Sequence, residues 1–481
     1  MTGTPILGSA PAIALKAGEG LWAEVTAHVL APDGDEHGGA LLCGLARNAK
    51  GETRLLARRF VPAIDGTDYV PGSRGYRALT PQFIRRVVRL AAEQRLVCLF
   101  VHGHGSGDSV DFSGSDLASH ERGYQALLDI SQQIVGALVL ASKAIAGDIW
   151  IPGQGRAEVH TTIVVGANLT RLAPQPVGVH GHRFEDDRQT RLFGDLGQHI
   201  LRGAKIGVIG TGGAGMLAIE WLSRLGVGEV VAIDPDRVDL TNLTRLPGAT
   251  RRDALSLLTS PGRPNWLRAL GRRRAAPKIR VAQRLAKTAG QGTMISGFVC
   301  NVTDHDAAHA LTDCDYLVLA ADTATARHLV NIISHQYLIP MIQVGVKIPV
   351  DKDGGVGDLF AAIRPVTPEA GCLRCAGLID ANQLAVESLP DPQRRQADYG
   401  TGQPAPSVIA LNATAVSEAI TRLMFALTGL NQTPEILHVR HHARRGNRIL
   451  GEPRRDSACP VCGVNGVVGL GDLQPLPLPR T

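Results

Sequence analysis

The segment from Lys205 to Asp234 constrains the fold of this chain more than any other part of the sequence. It begins with the apolar run KIGVIG, continues through a glycine-rich turn and a helical stretch, and ends in a second apolar run, EVVAID. The turn contains Gly210, Gly212, Gly213 and Gly215. Such glycines let the backbone approach phosphate, and the helix that comes next favours negative charge at its N-terminus. The pattern predicts the opening of a parallel, doubly wound α/β sheet.

The length of 481 residues indicates more than one domain. We predict an α/β domain over residues 1–165, a linker rich in proline and glycine over 166–184, a Rossmann-like domain over 185–470, and a flexible tail over 471–481.

Composition excludes several classes of protein. No apolar run reaches the length of roughly 18 residues that spans a bilayer, and the first residues lack the pattern of a secretion signal. We therefore expect a cytoplasmic protein with no membrane association. The net charge of +6 is a mild excess, which suits an acidic ligand but does not indicate nucleic acid.

Charged and polar side chains follow the glycine turn in a distinctive order. Asp234 ends the second strand, where it can bind ribose hydroxyls. One further candidate, Arg188, lies before the glycine turn. The candidates after Asp234 are Asp236, Asn242, Arg245, Lys278 and Asp322. Activation of a carboxylate by ATP needs cations that hold phosphates and a carboxylate that holds magnesium. A hydride-transferring enzyme needs neither, so this set disfavours an NAD oxidoreductase.

In this region the chain resembles the ThiF-type and ubiquitin-activating adenylyltransferases, over roughly residues 185–465. The resemblance implies that Asp234 binds the ribose, that Asn242, Arg245 and Lys278 contact phosphates, and that Asp322 holds magnesium. It also implies that Arg188 reaches into the active site of a second copy in a homodimer. Two features depart from the family pattern: Leu246 replaces a glutamine, and the stretch from Arg245 to Lys278 is longer than usual and carries the basic run Arg272–Arg274.

Four of the eight cysteines form two CxxC pairs, Cys372 with Cys375 and Cys459 with Cys462. In a reducing compartment such pairs indicate a metal site rather than disulfides. Four thiolates suit tetrahedral zinc and leave no open position for chemistry. We therefore predict a structural zinc ion that ties the C-terminal segment to the sheet.

A second candidate metal site lies in the N-terminal half, in LFVHGHGSGDSVDFSGSD. His102 and His104 point to the same side of a strand because side chains alternate along it. Asp116 can supply a third ligand, which leaves room for water as in a catalytic zinc site. Glu36 precedes another buried strand and can accept the proton of a zinc-bound water.

This pattern resembles the JAB/MPN (JAMM) metalloproteases, over roughly residues 20–165. The resemblance implies a catalytic zinc ion held by His102, His104 and Asp116, with Glu36 as the base and Ser113 as a stabiliser of the oxyanion. Gly105 stands where the family often has proline.

Together the two resemblances imply a bifunctional enzyme. Its second half would adenylate the C-terminal carboxylate of a ubiquitin-like modifier or sulfur-carrier protein, and its first half would cleave or process the same class of protein. The implied cofactors are ATP, magnesium and two zinc ions. The implied partners are the modifier, a conjugating enzyme and a second copy of the chain, in a bacterial modifier pathway such as antiphage defence.

Two other interpretations stay open at this point. The first is sulfur-carrier activation for cofactor synthesis, with the first domain trimming the carrier's tail. The second is a binding scaffold in which both active sites are inactive.

The sequence also bears on the fate of the adenylated protein. Many activating enzymes transfer the modifier to a cysteine in a crossover loop, but residues 376–411 contain none. Cys300 and Cys314 lie earlier, near apparent strand segments, where we expect a structural role. We therefore predict no thioester outside the zinc cysteines, and direct transfer to a partner or transfer through a hydroxyl of Thr401 or Ser407.

Overall fold

The computed structural model describes residues 13–48, 51–71, 77–351, 353–387, 389, 406–433 and 436–479. The chain forms two compact units. The first comprises Met1–Gly178, Gln336–Leu338 and Val467–Pro475, and the second comprises Val179–His335, Ile339–Gly466 and Leu476–Thr481.

In the residues that the structure describes, the first unit is built on one mixed eight-stranded sheet with three helices. Its elements are β1 (Ile13–Gly18), α1 (Glu19–Val29), β2 (Gly38–Arg47), β3 (Thr53–Pro62), α2 (Pro81–Gln94), β4 (Val97–Gly103), α3 (Gly114–Ser131), β5 (Val135–Leu140), β6 (Ile145–Ile151), β7 (Gly155–Val165) and β8 (Leu169–Leu172). The strand order is β1-β3-β2-β4-β5-β6-β7-β8, and β1 also pairs with β7, so the sheet curls back on itself.

Both faces of this sheet are covered. Trp22, Val25 and Val29 of α1 are buried in one apolar core, which includes Leu41 and Leu99. A second core is formed by apolar residues of α2 and α3 with β2 and β4. The strands β2 and β4 are therefore buried on both sides, which explains their nearly continuous apolar sequences.

The second unit is a doubly wound sheet extended by antiparallel strands. Its elements are α4 (Asp187–Gly203), β9 (Lys205–Ile209), α5 (Gly213–Arg224), β10 (Glu229–Ile233), α6 (Ser256–Thr259), α7 (Asn265–Arg274), α8 (Lys278–Ala289), β11 (Met294–Phe298), α9 (His305–Leu311), β12 (Tyr316–Leu319), α10 (Ala324–Gln336), β13 (Met341–Lys347), β14 (Phe360–Val366), α11 (Ala381–Glu387), α12 (Ile409–Thr428), β15 (His438–His442) and β16 (Asn447–Gly451).

The strand order of the second sheet is β11-β10-β9-β12-β13-β14-β15-β16. The strands from β11 to β13 are parallel, and those from β13 to β16 are antiparallel. The direction of winding reverses at β9, whose neighbours are β10 and β12. In such sheets ligands bind beyond the carboxyl ends of the strands at this reversal. The predicted Rossmann-like α/β class is confirmed for this unit.

The structure draws the domain boundaries differently from the prediction. The strand β8 lies inside the predicted linker, where it pairs with β7, so the first unit extends to Gly178. The predicted flexible tail is anchored in the first unit as far as Pro475: the Asp472 N–H donates to the Leu45 carbonyl, and the Gln336 amide donates to the Gly471 carbonyl. No turn signal in the sequence reveals such long-range pairing.

Across the ranges that the structure describes, no helix combines the length and apolarity needed to cross a membrane.

Candidate functional sites

The glycine turn after β9 is packed closely, and a Cβ added at Gly210, Gly213 or Gly215 would collide with a neighbouring atom. Gly210 has φ +87°, and a Cβ there would lie 2.9 Å from the Ala321 nitrogen. A Cβ on Gly215 would lie 1.8 Å from the Gly210 carbonyl oxygen, and one on Gly213 would lie 2.5 Å from Asn412 Nδ2. Gly212 is the N-cap of α5. The turn therefore exposes a helix N-terminus that can bind phosphate.

The predicted ribose-binding residue, Asp234, lies at the end of β10 in a partly buried cluster of charges, in which Asp234 and Lys278 are buried and Asp236 is exposed. Asp234 accepts hydrogen bonds from the backbone N–H groups of Thr211, at 2.6 Å, and Asp236, at 2.8 Å. Lys278 Nζ lies 2.6 Å from Asp236 Oδ2 and 3.7 Å from Asp234 Oδ1. Burial raises the pKa of the Asp234 carboxyl above its ordinary value, although the charge of Lys278 opposes this shift. The structure thus brings three of the predicted residues together beside the glycine turn.

Asn242 and Arg245 lie in the next loop, close to the turn. The Asn242 side chain accepts a hydrogen bond from the Asp239 N–H and closes a short 3-10 helix. The Arg245 guanidinium donates to the Thr241 carbonyl at 2.9 Å, and a Cβ placed on Gly213 would lie 3.5 Å from Arg245 Cδ. The long stretch before Lys278 folds into α6 and α7, and its basic run forms the last turn of α7, where positive charge is favourable.

Asp322 and Arg188 are exposed side chains at the margin of this site. Asp322 follows β12, one residue after the Ala321 backbone that contacts Gly210. Arg188 lies in the first turn of α4. Neither makes a hydrogen bond to Asp234, Asp236 or Lys278 within the described chain, so both project where an added ligand or partner can reach them.

Asn412 was missed by the sequence analysis. It is buried in the first turn of α12, its amide lies against Gly213, and it donates a hydrogen bond to Ser407 Oγ at 3.2 Å. Nothing in its local sequence indicates this contact, because it joins segments far apart in the chain. Thr401, the other hydroxyl named above, lies outside the described residues.

The four CxxC cysteines form one cluster. Their sulfur atoms all lie within 4.8 Å of one another, and the pairs Cys372–Cys459 and Cys375–Cys462 are 3.8 and 3.5 Å apart. Tetrahedral Zn–S bonds of about 2.3 Å require sulfur separations of about 3.8 Å, so the cluster fits zinc.

Substitution of Cys459 by serine should remove one zinc ion per chain and lower the free energy of unfolding of the second unit by more than about 4 kcal/mol, because a structural metal contributes directly to folding. Metal analysis and thermal unfolding measure both effects. Cys300→Ser is the matched control, since Cys300 lies outside the cluster. Full zinc content in a folded Cys459→Ser protein would contradict the assignment.

The predicted site in the first unit lies where β2 and β4 meet. Gly38 pairs with His102 in the antiparallel register, so Glu36 comes opposite His104 just beyond the strands. His102 Nε2 and His104 Nε2 are 3.2 Å apart, and Asp116 oxygens lie 3.6 and 3.5 Å from them. Glu36 Oε1 lies 3.6 Å from His104 Nε2. Tetrahedral Zn–N bonds of about 2.05 Å need ligand separations of about 3.3 Å. The ligand atoms of Glu36, His102 and His104 all lie within 4.8 Å of one another, so these three side chains can surround a zinc ion, whereas Asp116 presents a different oxygen to each histidine.

Hydrogen bonds orient the side chains of this site. His104 Nδ1 lies 3.1 Å from the Asp111 carbonyl oxygen, to which it can donate while Nε2 faces the cluster. Ser113 is the N-cap of α3, and its hydroxyl donates to Asp116 Oδ2 at 2.6 Å. Burial of Asp116 favours its neutral form, but hydrogen bonds from His102 and Ser113 outweigh this and hold its pKa well below the usual range. Ser113 therefore positions Asp116 in this structure, a role that the sequence analysis did not predict.

A buried pair one turn further along α3 was also missed. His120 Nδ1 lies 2.7 Å from Asp148 Oδ2 on β6, and the Arg156 guanidinium donates to both Asp148 oxygens. His120 also stacks on Tyr124 with ring centroids 4.6 Å apart. Since Asp116 and His120 are four residues apart on one helix face, this pair anchors the helix that carries Asp116.

Comparison with known proteins identifies the class of the second unit. The ThiF family model matches residues 186–461, which is more than half of the 481 residues. The sulfur carrier protein ThiS adenylyltransferase of Bacillus subtilis is 25% identical over 271 residues, covering 56% of this chain and 68% of that protein. The sulfur carrier protein adenylyltransferase of Thermus thermophilus is 26% identical, covering 44% and 75%. The SAMP-activating enzyme E1 of Haloferax volcanii is 23% identical, covering 38% and 56%.

Among solved structures, that of E. coli MccB with ATP aligns with a TM-score of 0.42 at 19% identity, covering 59% of this chain and 75% of that one. The family match shows that this chain belongs to the ThiF family. The predicted class, an E1-like adenylyltransferase, is confirmed for the second unit.

Proposed function

We propose that the second unit adenylates the C-terminal carboxylate of a small ubiquitin-like or sulfur-carrier protein. The observation that carries this proposal is the glycine turn beside the cluster of Asp234, Asp236 and Lys278, inside the segment that matches the ThiF family. Relatives named for sulfur carriers and for an E1 activity support the substrate class.

In the proposed reaction a carboxylate oxygen of the substrate attacks the α-phosphorus of ATP. A new bond forms between that oxygen and the phosphorus, the bond to the bridging oxygen of the β-phosphate breaks, and pyrophosphate leaves with the electron pair. The N-terminus of α5 would hold phosphates, and Arg245 and Lys278 would stabilise the charge that develops on pyrophosphate. Asp234 would accept hydrogen bonds from the ribose hydroxyls, and these would replace one of the two backbone N–H donors that Asp234 has in this structure.

Asp322 fits the predicted magnesium site because its carboxylate is exposed at the carboxyl edge of the sheet, and magnesium prefers oxygen ligands while keeping several waters. The ion would supply charge neutralisation on the phosphates. Asp322 itself would fix the position of the triphosphate relative to the glycine turn.

The direct test uses ATP labelled at the α-phosphate and purified small proteins of the ubiquitin-like (β-grasp) class encoded in the same genome. Transfer of the label to these proteins is measured. Formation of a labelled protein adenylate supports the proposal, and its absence with all of them contradicts it. The genes next to this one indicate how the adenylated protein is used. A gene for a conjugating enzyme would indicate protein modification, including a defence role, and a gene for a sulfurtransferase would indicate cofactor synthesis.

The first unit supports a second proposal, a zinc-dependent isopeptidase or processing protease acting on the same class of protein. The observation in its favour is the convergence of His102, His104, Asp116 and Glu36. The first three would hold zinc, which would supply an activated water and polarise the scissile carbonyl. Glu36 would take the proton of the attacking water and pass it to the leaving amine.

We further propose that the chain acts as a homodimer with Arg188 reaching into the partner's site. Arg188 lies on α4, which also exposes Leu192 and Leu196. Beside it, α4, α5 and α12 enclose a groove of about 400 Å³ lined by Trp221, Ile420 and Met424. An apolar surface of this kind supports a helix-to-helix interface between two copies.

Mixing Arg188→Ala and Asp322→Ala proteins should restore part of the adenylation activity that each lacks alone, because one site of a mixed dimer would be intact. Activity is measured after subunit exchange, which a fluorescent label on each protein verifies. Arg191→Ala is the matched control on the same helix, because its partner is Asp187 within α4. Absence of restoration despite verified exchange would contradict the trans role.

After adenylation we predict no thioester on this protein outside the four zinc cysteines. Cys314 is fully buried, and burial raises the pKa of the Cys300 thiol, so neither is prepared to act as a nucleophile. Mass spectrometry of the enzyme incubated with ATP and modifier should find no thiol-sensitive adduct at either residue. Such an adduct would contradict the prediction, and a hydroxylamine-sensitive but thiol-resistant adduct at Ser407 would indicate the hydroxyl route.

A further inference from the structure

One face of the antiparallel part of the second sheet collects arginine side chains. Gln343 of β13 pairs with Arg364 of β14, and Ala362, two residues before Arg364, pairs with Arg440 of β15. Residues that are directly opposed, or two apart on one strand, share a face of the sheet. Arg364 and Arg440 are therefore diagonal neighbours on the same face. Arg327 of α10 lies near enough for its charge to act on Arg364. We call Arg364, Arg440 and Arg327 the arginine patch.

On the opposite face of the same strands, the basic side chains are paired with a carboxylate. There Glu418 of α12 binds His441 of β15 and Arg448 of β16, and it also pairs with Arg422 at 3.0 Å. One half-buried carboxylate thus pairs with three basic side chains on that face. The arginine patch has no counterpart to Glu418 among the residues that the structure describes.

Within the described ranges, none of the three guanidiniums of the arginine patch forms an ion pair with a carboxylate. Arg364 donates to the neutral Gln343 amide at 2.6 Å, Arg327 reaches the Leu378 carbonyl at 3.5 Å, and Arg440 lies 5.7 Å from the centre of the Phe360 ring. Asp358, near this face, is already paired with His442 at 3.0 Å. Three positive charges that lie close together without a counterion repel one another. This repulsion lowers the stability of the folded chain when no partner is bound.

The pKa of Arg364 reflects this environment. Burial, followed by the charges of Arg440 and Arg327, lowers its pKa to about 10. Burial and the charges of Arg364 and Arg440 likewise lower the pKa of His438 to about 4. Such uncompensated charge is typical of a surface that is completed by an anionic partner.

The position of the patch limits the identity of that partner. Arg327 comes five residues after Asp322, the proposed magnesium-binding residue, so the patch begins beside the nucleotide site. Arg364 lies three strands from β9, which corresponds to about 14 Å at the usual strand spacing. An extended peptide covers this distance in roughly four to six residues. A protein whose last residue reaches the α-phosphate would therefore carry its preceding residues past the patch.

We infer that the arginine patch binds acidic side chains located roughly four to six residues before the terminal carboxylate of the protein that is adenylated. This inference rests on the proposed function and specifies its substrate: a modifier or carrier with an acidic C-terminal segment. Arg364 and Arg440 then act in recognition and determine which tails are accepted, and they take no part in the chemical step.

The test uses two fluorescein-labelled synthetic peptides that end in Gly-Gly with a free carboxylate. One carries glutamates about five residues before the end, and the other carries glutamines there. Fluorescence anisotropy, recorded without ATP, gives their affinities for the full-length wild-type chain and the variant Arg364→Gln/Arg440→Gln. Arg448→Gln is the matched control, because it removes an arginine from the opposite face. Thermal unfolding verifies that each protein is folded, and calorimetry gives the affinity for ATP.

The wild type and Arg448→Gln should bind the glutamate peptide roughly tenfold more tightly than the glutamine peptide, and more weakly as salt rises. The double variant should lose this preference while keeping its affinity for ATP. Equal binding of both peptides by the wild type, an unchanged preference in the double variant, or a loss of ATP affinity there would each overturn the inference. Because the peptides are tested without ATP, a failure of adenylation with the charge preference intact would refute the proposed function and leave the patch assignment standing.

Discussion

Replacing Asp322 by asparagine is expected to reduce ATP–pyrophosphate exchange at least roughly a hundredfold, the scale at which loss of a charge-stabilising group acts on a transition state. The side chain is exposed at the end of β12 and has no hydrogen bond within the described chain, so its loss should not disturb folding. The exchange rate and the midpoint of thermal unfolding are measured on the same preparation.

Asp306→Asn provides the control for this substitution. Asp306 is also an exposed aspartate close to a helix N-terminus of the second unit, but it lies on α9 after β11, away from the glycine turn. Its variant should exchange pyrophosphate at the wild-type rate. Normal exchange by a folded Asp322→Asn protein would remove Asp322 from the proposed magnesium site.

Replacing Glu36 by glutamine is expected to lower peptidase activity by roughly 10²–10⁴-fold while both zinc ions remain bound, because the glutamate would move protons rather than hold the metal. Cleavage of a modifier carrying a C-terminal extension and metal analysis give the two readouts. The test distinguishes a base from a metal ligand, because the structure allows both roles: Glu36 Oε1 lies 3.6 Å from His104 Nε2, and an Asp116 oxygen lies 3.5 Å from it. Loss of one zinc ion in Glu36→Gln would make Glu36 a ligand.

Glu24→Gln is a suitable control for the first unit, because Glu24 is exposed on α1. This variant should retain both zinc ions and full cleavage. Cleavage by Glu36→Gln at the wild-type rate would contradict the proposed role of the glutamate.

Local rules explain why much of the second unit was predictable. Gly210, Gly213 and Gly215 are required by close backbone and side-chain approach, and the residues that follow β10 must meet them because the carboxyl ends of parallel strands share one edge. The CxxC pairs and the HxH motif were predictable for a similar reason: short spacings restrict where ligands can point.

The remaining features depend on contacts between distant segments, which spacing does not encode. Asn412 meets Gly213 only because α12 packs against α5, and Asp148 meets His120 only because β6 lies beneath α3. The pairing of Gly471 with Leu45 and the arginine patch depend on strand order and register in the same way. Asn412, His120 and Asp148 therefore resemble surface residues in the sequence but are buried in the fold.

We propose that this chain activates a protein's C-terminal carboxylate with ATP. The most direct measurement is ATP–pyrophosphate exchange with one β-grasp protein prepared in two forms, one with a free C-terminal carboxylate and one with that carboxylate converted to an amide. We expect exchange that depends on magnesium and on the free carboxylate, with none for the amide because it has no oxyanion to attack the α-phosphate. Equal exchange with both forms, or none with any β-grasp protein of the same genome, would contradict it.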